Sequence, residues 1–185
     1  MERNLNEIFA KYFKPVNYEI LKYNPELCRG CGGLCCKTMG CHISPEDLKD
    51  EITVESIIRL IDETGCISID WWEGDPSENN AVSRGLFLRI KNVNAKIIDP
   101  SYGDECSILT DKGCPLIYSY RPKGARELIP AETECLVGYS KQQCAIDWLP
   151  YRDILEEVYE YYENKGEVTP RFDPLGLMES WWGNE

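Results

Sequence analysis

The chain is short of histidine, short of positive charge and without long apolar runs, and each shortage removes a class of function. His42 is the only histidine among 185 residues. A site built on several imidazoles is therefore excluded, and Ser-His-Asp chemistry is all but excluded. Twenty Lys and Arg against 32 Asp and Glu leave a formal net charge of −12, which repels phosphate backbones and anionic lipid surfaces alike. Nucleic acid and membranes are thus not expected partners, whereas a protein partner is compatible with the charge. No apolar run approaches the roughly 18 residues that cross a bilayer. The opening segment MERNLNEIFAKYFKPVNYEI also lacks the apolar stretch of about 7 to 15 residues that a secretory signal needs. The expected location is the cytoplasm. Walker A loops, dinucleotide fingerprints, G-x-S-x-G elbows, repeats and low-complexity tracts are all missing.

Cysteine, by contrast, is abundant: the chain has ten, and CRGCGGLCC at 28–36 packs four of them with three glycines into nine positions. Such a stretch is a disulfide knot, a metal site or a reactive thiol centre. A cytoplasmic setting keeps thiols reduced, which favours metal or redox chemistry over a disulfide framework. At this length the chain reads as a single domain, 1–185, able to bury a core of its own. Within it, a cysteine-cluster core over 25–136 carries helical extensions at both ends.

Local patterning predicts an α+β fold, a small antiparallel sheet with peripheral helices and a cysteine-rich, metal-stapled loop region. Leu5, Ile8, Phe9 and Tyr12 recur at helical spacing before Pro15. Ser44-Pro45-Glu46-Asp47 resembles a helix start, predicting a helix over about 45–63, in one piece or two, closed by Gly65. CISIDWW at 66–72 and LFLRIKNV at 86–93 alternate as paired strands would. Thr110-Asp111-Lys112-Gly113 suits a tight turn that would bring Cys106 and Cys114 close together. The C-terminal helix is expected at about 151–164. Cys66 and Cys144 read as small core hydrophobes, Trp71-Trp72 and Trp181-Trp182 as core pairs with one partner partly exposed, and Glu73 and Asp75 as turn residues rather than an acid–base pair.

Cys28 and Cys31 form a C-x2-C knuckle, whose spacing lets two thiolates converge on one ion while glycines permit the turn. Cys35 and Cys36 are adjacent, and adjacent side chains diverge, so both reach a single ion only through a strained backbone. A tetrahedral site needs four ligands; the first segment supplies about three. The remaining donors are expected from Cys106, Cys114 and Cys135, with Cys41 and His42 as local reserves. That makes two four-ligand centres, or one with sulfurs to spare. An all-sulfur set suits zinc or iron, including an iron–sulfur cluster. The bacterial and plant ferredoxin spacings are absent, and zinc is preferred.

The order C-x2-C-x3-C-C, then Cys106, then Cys114 followed by Tyr118 and Tyr120-Arg121-Pro122, resembles the zinc- or iron-chelating CxxCxxCC domain family over about residues 28–135. That family consists mostly of uncharacterised small proteins, and a similar domain occurs in flagellin lysine methylases, so the resemblance implies a metal centre without implying a reaction. It implies Cys28, Cys31, Cys35, Cys36, Cys106, Cys114 and Cys135 as ligands. The family's further cysteine after Arg-Pro is replaced by Ala125, and Cys41 is the first candidate to stand in for it. Arg121 is a candidate to neutralise or hydrogen-bond beside the thiolates, and His42 to stand beside the ligands if it is not one. The leading expectation is a metal-binding structural or interaction module. An iron–sulfur redox or transferase enzyme and a metal carrier are the alternatives.

Overall fold

A computed structural model describes residues 4–16, 33–73, 84–99, 104–129 and 136–169. The fold mixes helix and strand: a three-stranded antiparallel sheet lies among several helices, with a separate two-stranded ribbon.

Helix α1 (Leu5–Tyr12) buries Phe9 and Tyr12, and the Phe9 ring stacks on Phe13 at 4.6 Å between centroids. The helix expected from 45 divides. A single 3-10 turn covers Pro45–Asp47, and the α-helix proper, α2 (Val54–Thr64), starts only after an extended stretch. The break has a tertiary cause, because the backbone at 47–49 is used elsewhere: Lys14 N–H donates to Asp47 O at 2.8 Å and Lys49 N–H to Tyr12 O at 2.9 Å. The start of α2 is fixed by a reciprocal cap between Thr53 and Ser56, at 2.9 and 3.2 Å. Its end is Gly65 at φ 64°, a left-handed conformation that glycine adopts without penalty.

Strands β2 (Ile67–Glu73) and β3 (Arg84–Ile90) pair from Ile67↔Ile90 to Glu73↔Arg84, as the alternation predicts. The short strand β1 (His42–Ile43), which the pattern did not predict, pairs with the other edge of β3 through His42↔Arg89 and Ile43↔Leu88, giving the order β1-β3-β2. Side-chain alternation divides the sheet into two unlike faces. Ile43, Leu86, Leu88, Ile90, Ile67, Ile69 and Trp71 occupy one face, all buried. His42, Phe87, Arg89, Ser68 and Asp70 occupy the other and are buried too. Polar residues on a covered face need internal partners, and this shapes the site.

Beyond the sheet, the chain forms α3 (Lys123–Arg126), the ribbon β4 (Leu128–Ile129) and β5 (Leu136–Val137), then α4 (Lys141–Trp148) and α5 (Arg152–Asn164). Ser140 caps α4 by accepting from Gln143 N–H at 3.1 Å. Helix α4 packs toward the polar face, where Lys141 reaches Asp70 at 3.3 Å and lies 5.6 Å from the Phe87 ring centroid. Trp148 is completely buried and its indole N–H donates to Ile43 O at 2.7 Å, tying α4 to β1. Ile57, Leu60 and Ile61 of α2 join Leu155 and Val158 of α5 in the same continuous core as the apolar face. Each such side chain contributes on the order of 1.5–3 kcal/mol by leaving water. Cys66 and Cys144 lie in this core, Trp71 is buried and Trp72 partly buried, as expected. Glu73, expected as a turn residue, instead ends β2 opposite Arg84, because the strand pairing runs on past Trp72; Trp181, Trp182 and Asp75 lie outside the described residues. Among the described residues no helix is long and apolar enough to cross a membrane.

Candidate metal centre

Three described chain segments carry the candidate cysteines. The first is a 3-10 turn over Leu34–Lys37, entered through Gly33 at φ 77°, in which Cys36 N–H donates to Gly33 O at 2.9 Å. A left-handed residue at position 33 is why this turn follows a glycine pair. The second segment leads into β1, where Cys41 O accepts from Ile90 N–H at 2.9 Å. The third runs from Cys106 to Cys114. Its tight turn forms as expected, with Gly113 N–H donating to Thr110 O at 2.8 Å. Cys106, however, pairs across to Asn92 rather than within its own hairpin. Its N–H donates to Cys36 O at 2.7 Å, which locks the first segment to the third.

Burial pushes the Cys41 thiol well above its ordinary value, and Cys106, Cys114 and Asp47 push it the same way. Burial likewise raises Cys106 to about 11; Cys114 adds to the rise, while the backbone at Ile108 and the Arg89 charge oppose it. Ionised thiols are thus disfavoured in the absence of a cation, and a divalent ion would reverse this by displacing their protons. The donors are soft sulfurs, the kind that zinc and iron take. Among the described residues no group of three or more His, Cys, Asp and Glu side chains is gathered closely enough to hold an ion. Cys28, Cys31 and Cys135 lie outside the described residues, and of Cys35 only the backbone is described.

His42, one residue beyond Cys41, sits on the polar face of β1, edge-on to Phe87 at 5.4 Å between ring centroids. Strand alternation gives Cys41 the opposite face. Burial lowers the His42 pKa to about 4, a hydrogen bond to the Tyr139 backbone opposes this, and Arg89 and Lys141 lower it further. The ring is therefore neutral, and its buried Nε2 has no hydrogen-bond partner. Arg121 Nε–H donates to Leu116 O at 3.0 Å, and its guanidinium lies over the Tyr118 ring at 5.5 Å.

Sequence reasoning overlooked a set of buried ionic residues around these segments. Asp47 accepts from Ser44 N–H and Lys123 N–H, both at 2.9 Å, and from Arg126 Nη2 at 2.8 Å. It thereby fastens α3 to the turn that follows Cys41. Arg89 is fully buried between Asp70 and Asp99, at 3.0 and 2.7 Å. The alternating strands already put Asp70 and Arg89 on one face, which is the signal that could have found them. Gly40 is a further omission: a Cβ there would lie 1.8 Å from Ile90 O, so only glycine lets the backbone beside Cys41 approach β3 this closely. Comparison of the chain with protein families, curated proteins and solved structures gave no match.

Proposed function

We propose that this chain is a metal-binding cysteine-cluster protein of the cytoplasm, in which thiolates hold zinc, or alternatively iron. Its role in this reading is that of a structural or binding module. The observation that carries it is the lock between cysteine segments far apart in the chain: Cys106 N–H donates to Cys36 O at 2.7 Å, and Asn92, which faces Cys106 across an antiparallel bridge, accepts Gly40 N–H beside Cys41 at 3.2 Å. Soft sulfur donors brought to one region from distant parts of the chain are what a thiolate-bound ion requires of its ligands. Cys28, Cys31, Cys35, Cys36 and Cys135 complete the proposed ligand set, in line with the resemblance to the CxxCxxCC family. A bound zinc would cross-link the loops and add its binding free energy to folding. The chain's own part is to hold the segments at 36, 41 and 106 in place through backbone hydrogen bonds and to exclude water from Cys106. The net charge of −12 supports a metal or protein partner rather than nucleic acid.

The test is metal analysis of protein purified without oxygen. Colourless protein with stoichiometric zinc supports the reading. Brown protein with broad visible absorption moves it to the iron–sulfur alternative. Protein that holds neither metal, and takes up neither when offered, refutes it. A structural ion further implies loss of fold on chelation, whereas a carrier would surrender its metal to a competing thiol and stay folded.

A further inference from the structure

Between the cysteine segments lies a buried ionic lattice. Arg89, Asp70, Asn92 and Asp99 are all 1% exposed or less. All five guanidinium N–H groups are used: Nε on Asp70 at 3.0 Å, Nη1 on Ile90 O and Asn92 Oδ1 at 3.1 and 3.0 Å, and Nη2 on Asp99 O and Oδ2 at 2.9 and 2.7 Å. Asn92 is held on its other side, its own N–H donating to Asp99 Oδ2 at 3.2 Å. The side-chain oxygen that receives Arg89 also accepts Gly40 N–H at 3.2 Å. On its backbone, Asn92 is the residue that faces Cys106 across an antiparallel bridge, flanked by Val93 N–H to Glu105 O at 2.8 Å and Ser107 N–H to Lys91 O at 3.0 Å.

Asn92 therefore touches two cysteine segments at once. Its side chain holds the peptide beside Cys41, and its backbone registers Cys106, which in turn binds Cys36 O. Stability alone does not explain so many buried charges, since a well-packed apolar cluster of similar volume is often as stable. What a fully satisfied polar lattice supplies is a single orientation. Building on the metal reading above, we propose that Asn92, oriented by Arg89 and Asp99, is the positioning residue that sets Cys41 against Cys106 so that both thiolates meet one ion.

The experiment titrates the full-length, reduced protein with cobalt(II) alone under anaerobic conditions, following thiolate-to-cobalt charge transfer in the near ultraviolet, with circular dichroism to check the fold. Asn92→Ala is expected to lower cobalt affinity about 10- to 100-fold, the usual cost of losing a residue that orients a ligand. It should also lower the charge-transfer intensity per ion at saturation, because fewer sulfurs reach the metal. Ile61→Val, a core truncation on α2, is the control and should leave both unchanged. Should Asn92→Ala not fold, Asn92→Gln, which carries the amide oxygen one methylene away, is expected to show the same two losses. Wild-type affinity and intensity in the folded variant overturn the positioning role while leaving the metal reading standing. An equal loss in Ile61→Val overturns it as well, by assigning the effect to general destabilisation. A wild-type chain that gives no thiolate-to-cobalt band overturns the metal reading itself, and this inference falls with it.

Discussion

Replacing Gly40 by alanine is expected to be among the most damaging single-methyl additions in the chain. The new Cβ would stand 1.8 Å from Ile90 O and 2.6 Å from the carbonyl carbon. It has to withdraw by roughly 1.5 Å before ordinary contact is reached, and the obstacle is the backbone of the central strand, which cannot rotate away. Two hydrogen bonds lie in the path of that withdrawal: Gly40 N–H to Asn92 Oδ1 at 3.2 Å and Ile90 N–H to Cys41 O at 2.9 Å. A shift of this size leaves both unmade. At about 1–3 kcal/mol for each buried group left unsatisfied, the cost is about 2–6 kcal/mol, against a total of about 5–15 kcal/mol for a typical domain. Urea unfolding followed by circular dichroism measures it, with Gly113→Ala as the comparison. Gly113 has open space around its Cβ direction and a φ of 90°, so alanine there incurs only backbone strain, about 1–2 kcal/mol. If Gly40→Ala is no more destabilising than Gly113→Ala, the close approach of the Cys41 segment to β3 is refuted.

Three other outcomes follow from the same packing. His42, with a folded pKa of about 4 against 6.5 unfolded, takes up its proton first in the unfolded chain. Its neutral burial thus favours the fold fully above pH 6.5, and about 3 kcal/mol is lost as pH falls from 6.5 to 4. His42→Gln should flatten that part of the stability–pH curve, and an unchanged slope in urea titrations would contradict the assignment. Trp148→Phe removes the indole donor to Ile43 O and some buried volume; an expected loss of about 2–4 kcal/mol is checked by denaturant unfolding. Cys28→Ser and Cys106→Ser should each release metal from anaerobically purified protein, and full occupancy in Cys106→Ser would refute closure of the site across the chain.

Elements whose cause is local were legible in the sequence. The apolar spacing of Leu5–Tyr12, the pairing of two alternating strands, the Thr110–Gly113 turn and the C-terminal helix all form close to where the pattern puts them, although the strands span Ile67–Glu73 and Arg84–Ile90 rather than 66–72 and 86–93. Failures arose where a partner distant in sequence decides the outcome. Two residues, His42 and Ile43, are too short a run to read as a strand, and only β3 makes them one. The predicted helix start at Ser44 forms a single 3-10 turn because the chain after α1 takes its backbone groups. Helix α4 was missed because its polar surface hides the apolar side carrying Cys144, Ala145 and Trp148. Cysteine identity was easy to read; the lattice of Arg89, Asn92 and Asp99 was not. A charged residue in an alternating strand reads as solvent-facing until another layer is known to cover it.

Whether thiolates from separated segments share a metal is decided by X-ray absorption at the edge of whichever metal co-purifies with the anaerobic protein. The expected shell is dominated by sulfur, at about 2.3 Å if the metal is zinc, and loses sulfur in Cys106→Ser. A shell of oxygen and nitrogen at about 2.0–2.2 Å, unchanged by that substitution, would contradict it.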